Sequence, residues 1–333
     1  MEKVISEYLA GLTLGEPQVY KNFAAIPLFH PADGGPHYLT LKEALEQGAL
    51  TITEVGSEGT VPELKVINKG DVAVLLLDGE ELVGAKQNRV LNTTILLAAH
   101  TETVIPVSCT EHGRWSYTSH AFGDSDVVMA SNIRREKNRS VYHNLKTSAE
   151  FRADQGEVWD NIHKMAADAK VHSKTGAMKD VFEQKMHELD DYLKAATLKP
   201  GQKGLAACVN GSAVGLDVVS LDSAYLQLHA KLVKSYAMEA MLEKKNGQYA
   251  VSADIVRTFM DAAANSNDTK FKSVGLGWDY RFEAENLVGS ALEYESHVIH
   301  VASFPIEASE KIDPMAGPGR RRAYRTRNAG RTL

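Results

Sequence analysis

Residues 76–117 set acid, amide, guanidinium, thiol, imidazole and indole groups directly beside apolar runs that read as buried strands. The run Leu76-Leu77-Asp78-Gly79-Glu80-Glu81-Leu82-Val83-Gly84-Ala85-Lys86-Gln87-Asn88-Arg89 leads on to Val104-Ile105-Pro106-Val107-Ser108-Cys109-Thr110-Glu111-His112-Gly113-Arg114-Trp115. Burying such groups without partners costs roughly 1–3 kcal/mol apiece or more. Any fold this chain adopts must therefore satisfy them, within a network of their own or with donors and acceptors left over for a ligand.

The surrounding pattern changes period once. Short β-branched segments, Leu50–Val55, Glu63–Asn68, Val72–Leu77, Thr94–Ala98 and Thr103–Ser108, are separated by Gly, Asn-Lys-Gly-Asp or His-Thr turns. Phe23–Phe29 reads as a further strand whose Pro27 favours an edge. Thr40-Leu41-Lys42-Glu43 is a capping box opening a helix of about two turns, with Gly48 placed to stop it. From Ser148 the apolar residues recur as helical stripes: Val158, Ile162, Met165, Ala166 and Ala169, then Val181, Phe182, Met186, Leu189 and Leu193. Asn210-Gly211 marks a β-hairpin. Helices are expected near 222–242 and 252–264, and three strands between 271 and 304.

These readings predict an α+β fold, with an N-terminal antiparallel β-sandwich or open barrel and a C-terminal half of helices plus a small antiparallel sheet. The expected organisation is a mostly β region over 1–120, a linker or flap over 121–150, and an α+β region over 151–310. The flap is inferred because 118–150 carries Asp124, Asp126, Arg134, Arg135, Lys137 and Arg139 with few apolar anchors. Residues 311–333 read as a disordered arginine-rich tail. Subtracting its six arginines, Arg320 to Arg331, leaves 31 basic against 43 acidic residues in the chain, so the body is acidic and nucleic acid is expected only at the tail. No apolar run approaches the roughly 18 residues of a membrane span, and Met1–Glu7 lacks the order of a secretory signal. Two cysteines, Cys109 and Cys208, make no disulfide framework, and the expected location is cytoplasmic.

Three constellations carry candidate chemistry. Cys109 ends an apolar strand with Glu111 and His112 close behind, the makings of an activated nucleophile. A buried, inert thiol is the reading these residues favour, because free Cys is commonly buried and alternation puts His112 on the face opposite Cys109 and Glu111 unless the strand ends. Glu80, Glu81 and Glu111 offer acid–base carboxylates, or metal ligands with Gln87 or His112 as in a cupin-like barrel enzyme, although no His pair has ligand spacing. Arg89 and Arg114 with Gln87, Asn88 and Trp115 make up a set for holding a phosphate and stacking a base. The alternative for both arginines is an internal ion pair with Glu80, Glu81 or Glu111. Gly275-Leu276-Gly277 and the glycines of 209–215 match neither nucleotide-loop motif. Asp217, Trp278, Asp279 and Tyr280 are candidates for a cleft between the halves, and no cofactor is specified.

The run through Gln87-Asn88-Arg89, the following Asn92-Thr93-Thr94 and the motif Cys109-x-Glu111-x-x-Arg114-Trp115 resemble the bacterial ARG and Rhodanese-Phosphatase-superfamily-associated protein family. The resemblance extends from about Phe23 to Phe304. It implies a neighbourhood of ADP-ribosylglycohydrolases and rhodanese-like phosphatases, in stress or conflict systems, and with it a small phosphorylated ligand such as ADP-ribose or an NAD-derived nucleotide, or a role near RNA-end processing. It supplies no reaction. A non-catalytic accessory or scaffold protein for such enzymes is the other reading.

Overall fold

Short β-branched runs followed by 3.6-residue stripes set the order of elements in the computed structural model, which describes residues 1–31, 35–56, 59–243 and 253–306. The arginine-rich stretch and the rest of 307–333 lie outside the described residues. The chain opens with α1 (Lys3–Ala10), β1 (Thr13–Leu14), β2 (Gln18–Tyr20) and β3 (Phe23–Phe29). Then come β4 (Tyr38–Thr40), α2 (Leu41–Glu46), β5 (Leu50–Glu54), β6 (Glu63–Asn68) and β7 (Ala73–Leu76). The β-rich part closes with β8 (Glu80–Gly84), β9 (Arg89–Leu91), β10 (Ile95–Leu97), β11 (Thr101–Cys109) and β12 (Phe122–Val128). Four helices follow: α3 (Ser131–Ser148), α4 (Gln155–Asp168), α5 (Met178–Gln184) and α6 (Met186–Ala195). The remainder is β13 (Gly204–Val209), β14 (Ser212–Val219), α7 (Asp222–Leu242), α8 (Ala253–Ala264), β15 (Asp268–Lys272), β16 (Trp278–Ala284), β17 (Leu287–Tyr294) and β18 (His297–Pro305).

The fold is α+β, and local signals place its elements well. Thr40 caps α2 in a complete capping box, and Asn210 and Gly211 both take positive φ in the turn between β13 and β14. The C-terminal sheet is larger than expected. It has nine antiparallel strands in the order β1-β3-β13-β14-β18-β17-β16-β15, with β2 also on β3, so residues 13–29 join the second half. Pro27 is not on an edge: β3 pairs β13 along its length. Its missing N–H falls between the β2 register, which ends at Ala25, and the β1 register, which starts at Leu28, where no strand bond is lost.

Both faces of this sheet are covered, which explains the unbroken apolar text of β13. Leu205, Ala207 and Val209 point into a core shared with α4, α6 and α7, whereas Ala206 and Cys208 point into one shared with α1 and α8. The N-terminal strands form two further sheets, β10-β7-β4 and β12-β8-β9-β11-β6-β5. All their pairs are antiparallel except β4 with β7. They enclose a third core, with Val74, Leu76 and Ile95 from one sheet facing Ile52, Val66, Leu91 and Ile105 from the other.

The stretch 121–150, expected as a linker or flap, is instead β12 and the 18-residue helix α3. Few of the anchors of α3 are apolar because its buried face is charged: Arg134, Lys137 and Asn138 are sealed from solvent along with Val141 and Leu145. Arg134 holds Asp217 of β14 bidentately at 2.7 and 2.8 Å. Asp217 also accepts from Tyr236 at 2.7 Å and meets His300 at 3.1 Å. Burial alone would raise the Asp217 carboxyl, but Arg134 and His300 hold it well below the usual carboxylate range. Lys137 pairs with Asp78 and donates to Leu91 O at 2.8 Å. Next to it, Arg281 pairs with Asp279 and donates to Thr93.

Asp217 and Asp279 therefore sit in this sealed network and line no cleft, while Trp278 is exposed with Lys270 and Lys272 over its ring. Removing one partner of a buried pair strands the other, at a cost of about 3–5 kcal/mol. Arg134→Met is expected to lower unfolding stability by that amount in urea titration, and Arg134→Met/Asp217→Leu to recover part of it. A single-variant loss under about 1 kcal/mol would show that the pair does not hold α3 in place.

Candidate functional site

Antiparallel pairing of β9 with β11 sets Arg89 opposite Cys109 and Val90 opposite Ser108, which brings the two polar runs together. The turn leading from β8 to β9 needs Gly84, at φ +120°, because a Cβ there would run into Ser119 Oγ and lie 2.9 Å from Ala121 O. Beyond Cys109 the strand ends, so the strict alternation that would oppose Cys109 and His112 no longer applies. Both reach one pocket.

That pocket has a volume of about 370 Å³ and is lined by Val61, Gln87, Cys109 and His112, together with Gly113, Arg114, Trp115 and Trp159. Trp115 is half exposed, at 49%. Trp159 of α4 packs on His112 with ring centroids 4.2 Å apart, and its indole Nε1 has no hydrogen-bond partner. Helix α4 is docked by Gln155, whose amide imitates a neighbouring strand: Cys109 N donates to Gln155 Oε1 at 2.7 Å and Gln155 Nε2 to Cys109 O at 2.9 Å. The sequence did not single out Trp159 or Gln155. The i, i+4 spacing of Gln155 and Trp159 on one helix was their only signal.

Arg114 and Glu111 are occupied with each other and with the backbone. Arg114 Nε donates to Glu111 Oε2 at 2.9 Å, Nη1 to Ala85 O at 2.7 Å and Ser116 O at 2.9 Å, and Nη2 to Asn88 Oδ1 at 3.0 Å. Glu111 accepts in addition from Thr175 Oγ1 at 2.8 Å and Asn88 N at 3.2 Å. Burial works to raise its pKa, but these hydrogen bonds and the Arg114 charge outweigh it and leave the carboxyl below its ordinary value. Asn88 is part of this brace, and Gln87 Nε2 donates to Glu111 O.

Arg89 differs. It is fully buried, and its Nη1 donates to Gln87 O at 2.9 Å and Gln87 Oε1 at 3.1 Å, yet Nε and Nη2 have no hydrogen-bond partner. Glu54 stands 3.7 Å from Nη2, beyond hydrogen-bond reach.

The carboxylates do not converge. Glu80 lies away from the pocket, buried against Lys231 at 2.9 Å and accepting from Leu77 N at 2.8 Å. Glu81 accepts from Thr110 Oγ1, and burial pushes its carboxyl up to about 8. Burial likewise raises the Cys109 thiol to about 11, against the pull of Arg89, so the thiolate is scarce at neutral pH. Among the described residues no group of three or more His, Cys, Asp or Glu is arranged to hold a metal, and no helix is long and apolar enough to cross a membrane.

A three-sheet α+β protein with an aromatic-walled pocket at the junction of β9, β11 and α4 is the class these features define. The chain belongs to the ARG and Rhodanese-Phosphatase-superfamily-associated Protein domain family, whose model matches residues 11–304. No curated protein and no solved structure matches it. The family's name associates it with ADP-ribosylglycohydrolase and rhodanese-phosphatase proteins.

Because the folded pKa of Glu111 is depressed, its contribution to stability is present above its unfolded value near 4.5 and is lost as pH falls through the folded value. The melting-temperature gap between wild type and Glu111→Gln is thus expected to be constant from pH 6 to 8 and to close in acid. A gap independent of pH down to 3 would contradict the brace.

Proposed function

We propose that the chain binds a small phosphorylated nucleotide, ADP-ribose or an NAD-derived compound, in the pocket between Trp115 and Trp159. The observation that carries this reading is the composition of the walls. Two indoles and an imidazole offer flat faces to a base, and Gln87 and His112 supply polar groups between them. A volume of about 370 Å³ suits part of a dinucleotide or a mononucleotide, with the remainder of the ligand lying across the open mouth. The family's association with ADP-ribosylglycohydrolases supports the ADP-ribose end of this class.

In this reading Trp115 and Trp159 stack, Gln87 and His112 orient the ligand, and Arg114, Glu111 and Asn88 hold the loop that presents them. Catalysis by Glu80, Glu111 or Cys109 forms no part of it: Glu80 is remote, Glu111 is spent on Arg114, and Cys109 is a protonated thiol. The saturation of Arg114 and Glu111 also favours a second reading, in which the cluster is structural and the chain is an accessory to glycohydrolase or phosphatase partners.

A ligand at about 100 times its dissociation constant adds roughly 2.7 kcal/mol to stability. Thermal shift with ADP-ribose, NAD and AMP is expected to raise the melting temperature of wild type, and Trp115→Ala, at an exposed position, to abolish the shift while melting as wild type does without ligand. No shift with any of the three, together with stable co-purification of a glycohydrolase or phosphatase, would replace the binding reading with the accessory one.

A further inference from the structure

The pocket's most unusual neighbour is a buried cation with three of its five N–H donors idle. Arg89 is fully buried, and its Nε and Nη2 lack hydrogen-bond partners; Glu54, the nearest carboxylate, stays 3.7 Å away with its own Oε2 unpartnered. Donors buried without hydrogen-bond partners are costly even where the charge faces a carboxylate, and here the Nε and Nη2 donors stand open to an acceptor. Nε and Nη2 form one edge of the guanidinium, the edge whose two N–H groups match two oxygens of a single phosphate.

The guanidinium lies directly behind the pocket wall. It hydrogen-bonds Gln87, its residue pairs with Cys109 across the strand, and its centre is 5.6 Å from the Trp115 ring. All three of those residues line the cavity. Trp115 is the exposed member, and rotation of an exposed side chain takes only picoseconds to nanoseconds. Lys86 Nζ, 5.4 Å from the Trp115 ring and 5.1 Å from the Tyr117 ring, adds a second positive charge beside the same indole. Arg114 cannot take this part, because its donors are already committed to Glu111, Ala85, Ser116 and Asn88.

We infer that Arg89 is the anion anchor of the pocket: when Trp115 swings aside, the Nε/Nη2 edge takes two oxygens of a ligand phosphate. The inference rests on the pocket being a ligand site and fixes what that site selects, a phosphate-bearing ligand over its dephosphorylated counterpart. No bond is made or broken in this step. The guanidinium exchanges a loose contact with Glu54 for a bidentate one with phosphate, and Trp115 becomes free to stack on whatever the phosphate carries.

The test is isothermal calorimetry of the full chain with adenosine, ADP-ribose and pyrophosphate, in wild type and in Glu54→Gln/Arg89→Met, which removes both charges together. Charge-assisted hydrogen bonds to one phosphate predict that wild type binds ADP-ribose at least ~10-fold more tightly than adenosine. In the double variant the two affinities become equal and that for adenosine is kept. An ADP-ribose preference that survives in the double variant overturns Arg89 as the anchor and leaves the aromatic pocket standing. Pyrophosphate binding that the double variant loses, with adenosine binding neither protein, upholds Arg89 and overturns the stacking reading. Failure of all three compounds to bind wild type overturns both. Should the double variant not fold, Arg89→Lys takes its place: it keeps the charge but loses the paired edge, so the ADP-ribose preference must fall severalfold, and an unchanged preference overturns the inference.

Discussion

The bidentate pair between Arg134 and Asp217 ties helix α3 to β14 of the nine-stranded sheet at full burial. Helix α3 has a polar sequence and buries only a narrow apolar stripe, Ile133, Val141 and Leu145, so charges meeting across the interface with the nine-stranded sheet carry much of its placement. Around that pair, His300 and Tyr236 take up the remaining valence of Asp217, and His300 Nδ1 meets Thr94 Oγ1 at 2.8 Å. Lys137, one turn along, reaches the other way to Asp78 and Leu91 O. The same helix therefore grips the β7–β8 turn and the end of β9, while Met129 N bonds Gly79 O at 2.8 Å just ahead of it. Ion pairs buried this deeply contribute little net stability compared with apolar packing. They fix position instead, because a displaced helix would leave two cations, Arg134 and Lys137, and two carboxylates, Asp217 and Asp78, without these partners.

That fixation bears on the pocket. Strands β8 and β9 are held at the Asp78 and Leu91 ends by α3, and their other ends, from Gly84 to Arg89, carry the polar run that approaches the cavity. Two kinds of polar group result. Arg114, Glu111 and Asn88 are mutually satisfied and act as a frame. Arg89, Trp159 and Glu54 retain unpartnered atoms. In a native interior most polar atoms have partners, and those that do not are the ones to ask about. Arg89 and Trp159 lie against one aromatic-walled cavity, which Arg114 of the frame also lines, whereas the unpartnered atoms of Asp78, Arg134 and Arg281 belong to the charged network beneath α3.

Much of this was legible in the sequence wherever the determining interaction is local. The capping box of Thr40 and Glu43, the Asn210-Gly211 turn and the stripes of α4 and α6 act over a few residues, so their composition reveals them. The proximity of Gln87, Arg89, Cys109, His112, Arg114 and Trp115 was suggested by two dense runs flanking strand text, and antiparallel pairing of β9 with β11 accounts for it. What could not be read is what depends on distant partners. Helix α3 looked like a linker because its anchors are charges whose mates lie at 78 and 217. Glu80 looked like a neighbour of Glu111, yet adjacent residues on β8 face opposite sides, and Glu80 meets Lys231 of α7 instead. Trp159 carries no sign in the sequence that His112 will stack on it.

The most direct test of the account follows the indole N–H resonances during titration with ADP-ribose, since the chain has three tryptophans and only two of them line the pocket. With the ligand held between Trp115 and Trp159, the account predicts that their Nε1–H signals shift together and saturate at one ligand per chain, while that of Trp278, in β16 and outside the pocket lining, stays in place. Shifts confined to Trp278, or none at all at millimolar ligand, would contradict it.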